Sequence, residues 1–200
     1  VILILIYQVC YLMKSKKNWL NNQLLIAMPS MTDPNFSHTV TLICEHSEQG
    51  ALGIIINRPM DMKITNLMDQ LELSATNISI KEKLILNGGP LSQERGFVLH
   101  NSQEAFQNSL SISDDVKLTL SKDIIDAISS GHGPEKSIIA LGYAGWEAGQ
   151  LEKEMLLNTW LSIPVNLNLL FDLPYEKRWE IAVKTLGFDP NQLSTQIGHA

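Results

Sequence analysis

Short apolar runs separated by turn residues dominate the chain and predict strands. Each run is about five residues long and is bounded by Gly, Pro, Asn, Asp or Ser, which is typical of strands. Two of these runs flank a turn containing Gly50, which predicts a β-hairpin. The predicted strands cover residues 24–28, 39–44, 52–56, 84–86, 96–100, 116–120, 138–141 and 160–165.

Helices are predicted where apolar residues recur every three or four positions. They cover residues 64–71, the segment from an N-cap at Ser121 to Gly131, residues 148–157, and the segment from Pro174 to Gly187. A short final helix is expected from Asp189. Because these helices fall at irregular intervals, the pattern favours one α+β domain from about residue 20 to 195 over a doubly wound parallel sheet.

The first twelve residues form an apolar, β-branched run that does not fit the rest of the chain. The run is too short to span a bilayer, which needs about 17–25 residues. Lys14, Lys16 and Lys17 follow it, whereas the charge of a signal peptide precedes its apolar stretch. We therefore expect residues 1–12 to come from an over-extended start or from a non-standard start codon, and we expect the domain to span residues 13–200. A membrane anchor is the less favoured alternative, and no membrane association is predicted.

Composition and charge narrow the classes of function. The chain has 200 residues, 44% hydrophobic and 18% charged, which is typical of a globular protein. Lys and Arg number 15 against 21 Asp and Glu, so the net charge is -6. Direct nucleic-acid binding through a basic face is therefore disfavoured. The two cysteines form no C-x-x-C pair, which predicts a reducing compartment and a cytoplasmic location.

No established catalytic motif occurs in the sequence, so no catalytic residue, metal site or cofactor is predicted. The chain lacks a G-x-S-x-G elbow, and its five histidines are scattered. His100 is the best single candidate for a general acid or base, because it ends a predicted strand near the Gly88-Gly89-Pro90 turn. Cys44 and His46 could form half of a metal site, but a core cysteine beside a surface histidine is favoured.

Glycine, arginine and tryptophan residues suggest binding. Gly142, Gly145 and Gly149 follow a strand and open a helix, the context of an anion site, although close packing is the favoured alternative. Trp146 follows this predicted glycine turn, where it could be a binding aromatic, but a core position is favoured. Arg58 and Arg95 could hold a carboxylate or phosphate, while a structural role is favoured.

Several of these segments together resemble the YqgE/AlgH family of bacterial proteins over about residues 20–200. They include Asn57-Arg58-Pro59, Gly88-Gly89-Pro90, residues 94–100, residues 140–146 with residues 149–152, and Arg178-Trp179. The resemblance implies an α+β fold, with a mixed, bifurcated β-sheet curled into a partial barrel and helices around it. It also implies a cytosolic protein. The usual label of the family is transcriptional regulator, but the resemblance implies no reaction.

Three functions follow, of which a non-enzymatic binding or regulatory protein is favoured. Its partner would be an unknown protein or small ligand, bound where polar turn motifs converge. A hydrolase or transferase using Glu45, Glu94 or His100 is the first alternative, and a direct DNA-binding regulator is the second. The predicted binding surface consists of Asn57, Arg58, Gly88, Gly89, Pro90, Glu94, Arg95, His100, Gly145, Trp146 and Gln150.

Overall fold

One long strand organises the sheet in the computed structural model, which describes residues 19–73, 82–101 and 103–188. This strand, β9 (Ser137–Glu147), pairs antiparallel with β6 (Leu91–His100) along one edge. Along the other edge its first half pairs in parallel with β5 (Leu84–Asn87), and its last residues pair antiparallel with β3 (Gly50–Ile55). One strand thus joins two branches of a mixed sheet, which confirms the predicted bifurcation.

The other strands extend the two branches into a curled half-barrel. They are β1 (Gln23–Ala27), β2 (Val40–Ser47), β4 (Pro59–Lys63), β7 (Ser109–Ser111), β8 (Lys117–Thr119) and β10 (Trp160–Pro164). The strand order along the main path is β10-β1-β2-β3-β9-β6-β8-β7, and β4 pairs with β5. Apart from β5 with β9, these neighbouring strands are antiparallel.

Short helices surround the sheet. Among the described residues, the α-helices are α1 (Ile64–Gln70), α2 (Asp123–Ser129), α3 (Gln150–Leu156) and α4 (Arg178–Thr185). A π-helical turn over Asn168–Asp172 and a 3-10 turn over Tyr175–Lys177 precede α4. Because each helix is brief, its stability depends on packing against the sheet rather than on intrinsic propensity.

In the part of the chain that the structure describes, apolar side chains form three packed clusters, and β1 contributes to two of them. Leu24 and Ile26 enter the largest cluster, whereas Leu25 lies on the opposite face beside Trp160. Because both faces of β1 are buried, its sequence is a continuous apolar run rather than an alternating one. The remaining cluster packs α1 and α2 against the sheet around Ile139.

The predicted hairpin is confirmed by the antiparallel pairing of β2 with β3. The prediction for β9 was wrong in extent. The strand does not stop at Leu141 before a glycine turn, but continues to Glu147. Gly142 has a φ of +75° within this strand, and a Cβ there would lie 2.5 Å from the Gly89 carbonyl oxygen. Gly142 therefore allows the backbone of β9 to approach the backbone of Gly89 closely, and it does not form the predicted turn before a helix.

Other boundaries also differ from those predicted. The strand expected from Gly96 begins at Leu91. Lys122, not Ser121, is the N-cap of α2, and the Ser121 hydroxyl donates instead to the Asp123 carboxylate. The helix expected from Pro174 begins at Arg178, after the 3-10 turn. The predicted extension over 1–12 and the final helix from Asp189 lie outside the described residues.

Candidate functional site

An open groove of about 530 Å³ lies on the face of the sheet where β2, β3 and β9 run side by side. We call it the sheet-face groove. It contains three residues of the predicted binding surface, together with one acid predicted for the alternative enzyme. Its lining consists of Glu45, Ser47, Gln49, Gly50, Ala51, Leu52, Leu91, Tyr143, Gly145, Trp146, Glu147 and Gln150.

Strand register places the two carboxylates of this groove on one face. Glu45 pairs with Leu52, which pairs with Gly145. Two residues further along each strand, Gly50 pairs with Glu147. Two strand spacings of about 4.8 Å and two residue steps of about 3.4 Å put the Cα atoms of Glu45 and Glu147 about 12 Å apart.

Two glycines keep the floor of the groove low. A Cβ on Gly145 would lie 2.8 Å from Leu91 Cδ1, so the Leu91 side chain occupies the space beside this glycine. Gly50 has a φ of +127°, and a Cβ there would lie 2.2 Å from the Trp146 carbonyl oxygen. A larger residue at Gly50 would therefore disturb the pairing of β3 with β9, whereas one at Gly145 would mainly fill the groove.

The carboxylate of Glu154 holds Trp146 and Gln150, two residues that form the end wall of the groove. The sequence analysis did not predict a role for Glu154. Glu154 Oε2 accepts hydrogen bonds from the indole nitrogens of Trp146, at 2.9 Å, and Trp160, at 2.8 Å. Gln150 Nε2 donates to Glu154 Oε1 at 2.8 Å, while Gln150 Oε1 accepts from the Glu147 backbone N–H at 2.9 Å. Trp146 is only 6% exposed, so its ring is a core element, as favoured.

We expect Glu154→Gln to lower the free energy of unfolding by about 2 kcal/mol, because a neutral amide replaces a charged acceptor that two indoles share. Equilibrium denaturation followed by tryptophan fluorescence measures this change. Lys153→Gln on the exposed side of the same helix is the matched control. Equal stability of the two variants would contradict a role for Glu154 in holding the wall.

The Gly88-Gly89-Pro90 turn packs against Gly142 and Tyr143 of β9, and Tyr143 is one of the residues that line the groove. A Cβ on Gly88 would lie 2.3 Å from the Gly142 carbonyl oxygen, and one on Gly89 would lie 2.1 Å from the Tyr143 carbonyl carbon. These glycines therefore allow the loop to touch β9, and the chain continues into Leu91 at the groove wall. Their observed role is close backbone packing.

The Asn57 and Arg58 side chains fasten a loop instead of lining the groove. Asn57 accepts a hydrogen bond from the Val40 backbone N–H at 2.8 Å. The Arg58 guanidinium donates to the carbonyl oxygens of Pro34, at 2.9 Å, and Ser37, at 2.7 Å. Arg58 thus takes the structural role that was favoured, but its partners are backbone carbonyls rather than an acidic side chain.

Glu94 and Arg95 are both exposed on β6. Glu94 lines a second groove of about 270 Å³, whose other walls include Leu71, Ile125 and Leu141. This second groove is mostly apolar and is lined from α1, α2 and β6, so Glu94 does not join Glu45. The structure therefore separates two of the three acid–base candidates.

His100 is buried in the sheet and does not line either groove. It is fully shielded from solvent, and its Nε2 lies 2.8 Å from Thr119 Oγ1. The Phe106 ring packs edge-on against the His100 ring, with the two ring centres 5.5 Å apart. Burial, with a smaller contribution from Lys117, lowers the pKa of His100 to about 4. His100 does end a strand, as predicted, but its side chain points into the protein, so its position does not support the role of general acid or base considered for it.

Cys44 and His46 have separate surroundings. Cys44 is buried in the largest apolar cluster, and burial raises the pKa of its thiol. His46 is also buried, where its Nδ1 accepts a hydrogen bond from the Leu20 backbone N–H at 3.0 Å, so the predicted surface position was wrong. Within residues 19–73, 82–101 and 103–188, no three His, Cys, Asp or Glu side chains lie close enough to hold a metal ion.

Arg178 is a second residue whose importance the sequence did not reveal. It is 1% exposed, and it donates to the carbonyl oxygens of Ile56, at 2.5 Å, and Leu173, at 3.1 Å. Its guanidinium also lies 4.6 Å from the centre of the Tyr175 ring. Burial lowers its pKa to about 10, so the group is still protonated at neutral pH. Arg178 thereby ties α4 to the end of β3.

Comparison with known proteins identifies the family. Residues 24–191 match the AlgH-like family. The chain belongs to that family. Among its AlgH-like relatives, a UPF0301 protein of Chromobacterium violaceum is 48% identical over 181 residues, covering 90% of this chain and 97% of the relative. A UPF0301 protein of Shewanella loihica is 51% identical over 183 residues, covering 90% and 98%.

Solved structures agree with the AlgH-like fold. The solution structure of the AlgH protein from Pseudomonas aeruginosa is 45% identical, covers 93% of this chain and 98% of its own, and has a TM-score of 0.75. A crystal structure of a Corynebacterium diphtheriae protein, 20% identical, shares the fold with a TM-score of 0.69, covering 88% and 92%. The resemblance and the curled half-barrel predicted from it are both confirmed. In the part of the chain that the structure describes, no helix is sufficiently long and apolar to cross a membrane.

Proposed function

We propose that this AlgH-like protein is a non-enzymatic binding protein with a regulatory role, and that the sheet-face groove is its ligand site. The observation that carries this proposal is the composition of the groove. Gly145, Trp146 and Gln150, which are separated along the sequence from Glu45, line the same groove as Glu45 together with the apolar residues Leu52 and Leu91. Cavities with an apolar surface and a few convergent polar groups are typical of ligand sites.

Binding is favoured over hydrolysis or group transfer because the candidate acid–base residues lie apart. General acid–base catalysis needs its groups within hydrogen-bond reach of one substrate, directly or through one water. Glu45 lines the sheet-face groove, Glu94 lines the apolar groove, and His100 is buried. The raised pKa of the buried Cys44 thiol also argues against a cysteine nucleophile.

A regulatory role through a ligand or a protein partner is favoured over direct DNA binding. Glu45 and Glu147 make the groove acidic, and the net charge of the chain is -6, so phosphate backbones would be repelled. We place this role in the cytoplasm, where a buried cysteine outside any disulfide, such as Cys44, fits the reducing conditions.

We expect Gly145→Val to abolish ligand binding, because its side chain would fill the floor of the groove. The backbone of Gly145 lies outside the left-handed region, so the strand accepts valine there once the flexible end of the Leu91 side chain moves aside. A thermal-shift panel of small metabolites measures the effect. Compounds that raise the Tm of the wild type should leave the Tm of the variant unchanged.

Gly96→Val is the matched control, since Gly96 also lies in a strand, has open space at its Cβ and lines the apolar groove instead. This control should keep the shifts of the wild type. The proposed site would be wrong if Gly145→Val retained every shift, or if no compound in the panel stabilised the wild type.

A further inference from the structure

The sheet-face groove has a charge pattern that specifies its ligand more closely, if the groove is the ligand site proposed above. We infer that it binds a linear organic dication: two ammonium groups about 11 Å apart, joined by an apolar chain. Charge, spacing and the shape of the floor each support this class of ligand.

The charge of the groove is uniformly negative. Among the twelve described residues that line it, Glu45 and Glu147 are acidic and none is Lys, Arg or His. Both glutamates are exposed, so their carboxylates are available to a ligand. A cation entering the groove would therefore be attracted at both ends without competition from a basic side chain of the lining.

The spacing of the carboxylates excludes one small ion as a shared ligand. The Cα atoms of Glu45 and Glu147 are about 12 Å apart along the sheet, and strand side chains stand roughly perpendicular to it. The two carboxylates therefore stay well separated, and one metal ion or one ammonium group would reach only one of them. Two ammonium groups held at a similar distance would reach both.

The surface between the carboxylates suits a methylene chain. The line from Glu45 to Glu147 crosses β3 between Leu52 and Gly50, and Gly145 lies beside Leu52. Leu91, which is 44% exposed, borders the same surface with Tyr143. Burying methylene groups here would contribute roughly 0.8 kcal/mol each when they are fully covered.

A free diamine fits this face better than an extended peptide does. Peptides that extend a sheet bind at its edge, where backbone groups have no partner. The groove instead lies on the face of the sheet around β3, whose residues Gly50 to Gly53 pair with β2 on one side and with β9 on the other. Two lysines of a partner protein could present the same ammonium groups, so the experiment includes that source.

Isothermal titration calorimetry with three amines, and with a peptide that carries lysines at its first and fifth positions, tests the inference. The amines are 1,8-diaminooctane, whose nitrogens are about 11 Å apart when extended, the shorter 1,4-diaminobutane, and 1-aminooctane with a single ammonium group. We expect 1,8-diaminooctane to bind most tightly. Glu45→Gln and Glu147→Gln should each weaken its binding about two- to five-fold, as exposed ion pairs do. Glu94→Gln, which removes the same charge from the apolar groove, should change nothing.

Three results would overturn the inference: equal binding of 1-aminooctane and 1,8-diaminooctane, no loss on either groove substitution, or an equal loss in Glu94→Gln. Binding of a peptide with lysines at its first and fifth positions, but of no diamine, would overturn the small-molecule source and indicate a basic protein segment. If diamines fail while Gly145→Val still abolishes other thermal shifts, only the dication is wrong. If Gly145→Val changes nothing, the site itself is wrong.

Discussion

Replacing Arg178 with alanine is expected to lower the free energy of unfolding by about 3–5 kcal/mol. The guanidinium is buried at 1% exposure and donates to the carbonyl oxygens of Ile56 and Leu173. Alanine would leave both carbonyl groups without this donor and open a cavity beside Tyr175, whose ring the guanidinium covers. Each of these losses is costly in a packed interior.

Chemical denaturation of the wild type and Arg178→Ala measures this loss. Lys177→Ala is the control, because the neighbouring lysine is exposed and its removal should change stability by less than about 0.5 kcal/mol. Arg178→Lys should recover only part of the lost stability, because one ammonium group cannot reproduce the planar, divergent N–H donors of a guanidinium. Stability of Arg178→Ala within about 1 kcal/mol of the control would show that α4 is held by apolar packing alone.

Acidification from pH 6.5 to pH 4 is expected to destabilise the protein by about 3 kcal/mol through His100. The folded pKa of this histidine is about 4, lowered mainly by burial, whereas an unfolded histidine titrates near 6.5. Between these values the unfolded chain binds a proton that the folded protein does not, so stability is lost as the pH falls. Above about pH 7.5 the histidine is neutral in both states, and its contribution does not change.

His100→Gln should flatten this pH profile, since glutamine can still donate to Thr119 but does not titrate. Thermal or urea unfolding from pH 4 to pH 7.5 measures the slope, with His132→Gln as an exposed histidine control. Asp123 has a lowered pKa through hydrogen bonds with Ser121 and Gln107, but its contribution is lost only below about pH 3.8 and lies outside this window. A slope that His100→Gln leaves unchanged would show that other groups cause the acid sensitivity.

Strands were predictable from the sequence where the signal was local. The hairpin of β2 and β3 follows from two apolar runs around a glycine turn. The end of β9 was not predictable, because Gly142 and Gly145 look locally like a turn. Pairing of β9 with β3 and β6 holds these glycines in a strand, and the reason for Gly142 is the approach of Gly89. Tertiary pairing therefore outweighs local propensity here.

The candidate site was predictable only in part for the same reason. Gly145 and Gln150 were part of the predicted binding surface. The strand register that places Glu45, Leu52 and Gly145 in one row could not be predicted, because it depends on pairing between strands about 100 residues apart in the chain. Arg178 reaches Ile56 over 122 residues, and no local spacing signals that contact. Glu154 did leave a local signal, because it lies four residues after Gln150 on one helix face.

Amide chemical-shift mapping by NMR tests the sheet-face groove as a ligand site most directly. A mixture of small amines and neutral fragments would be titrated into the full chain. We expect the largest shifts at Gly50, Leu52, Gly145 and Glu147, and their loss in Gly145→Val. Shifts that instead cluster around Leu71 and Ile125 in the apolar groove, or that are the same in Gly145→Val, would contradict the assignment of this groove as the binding site.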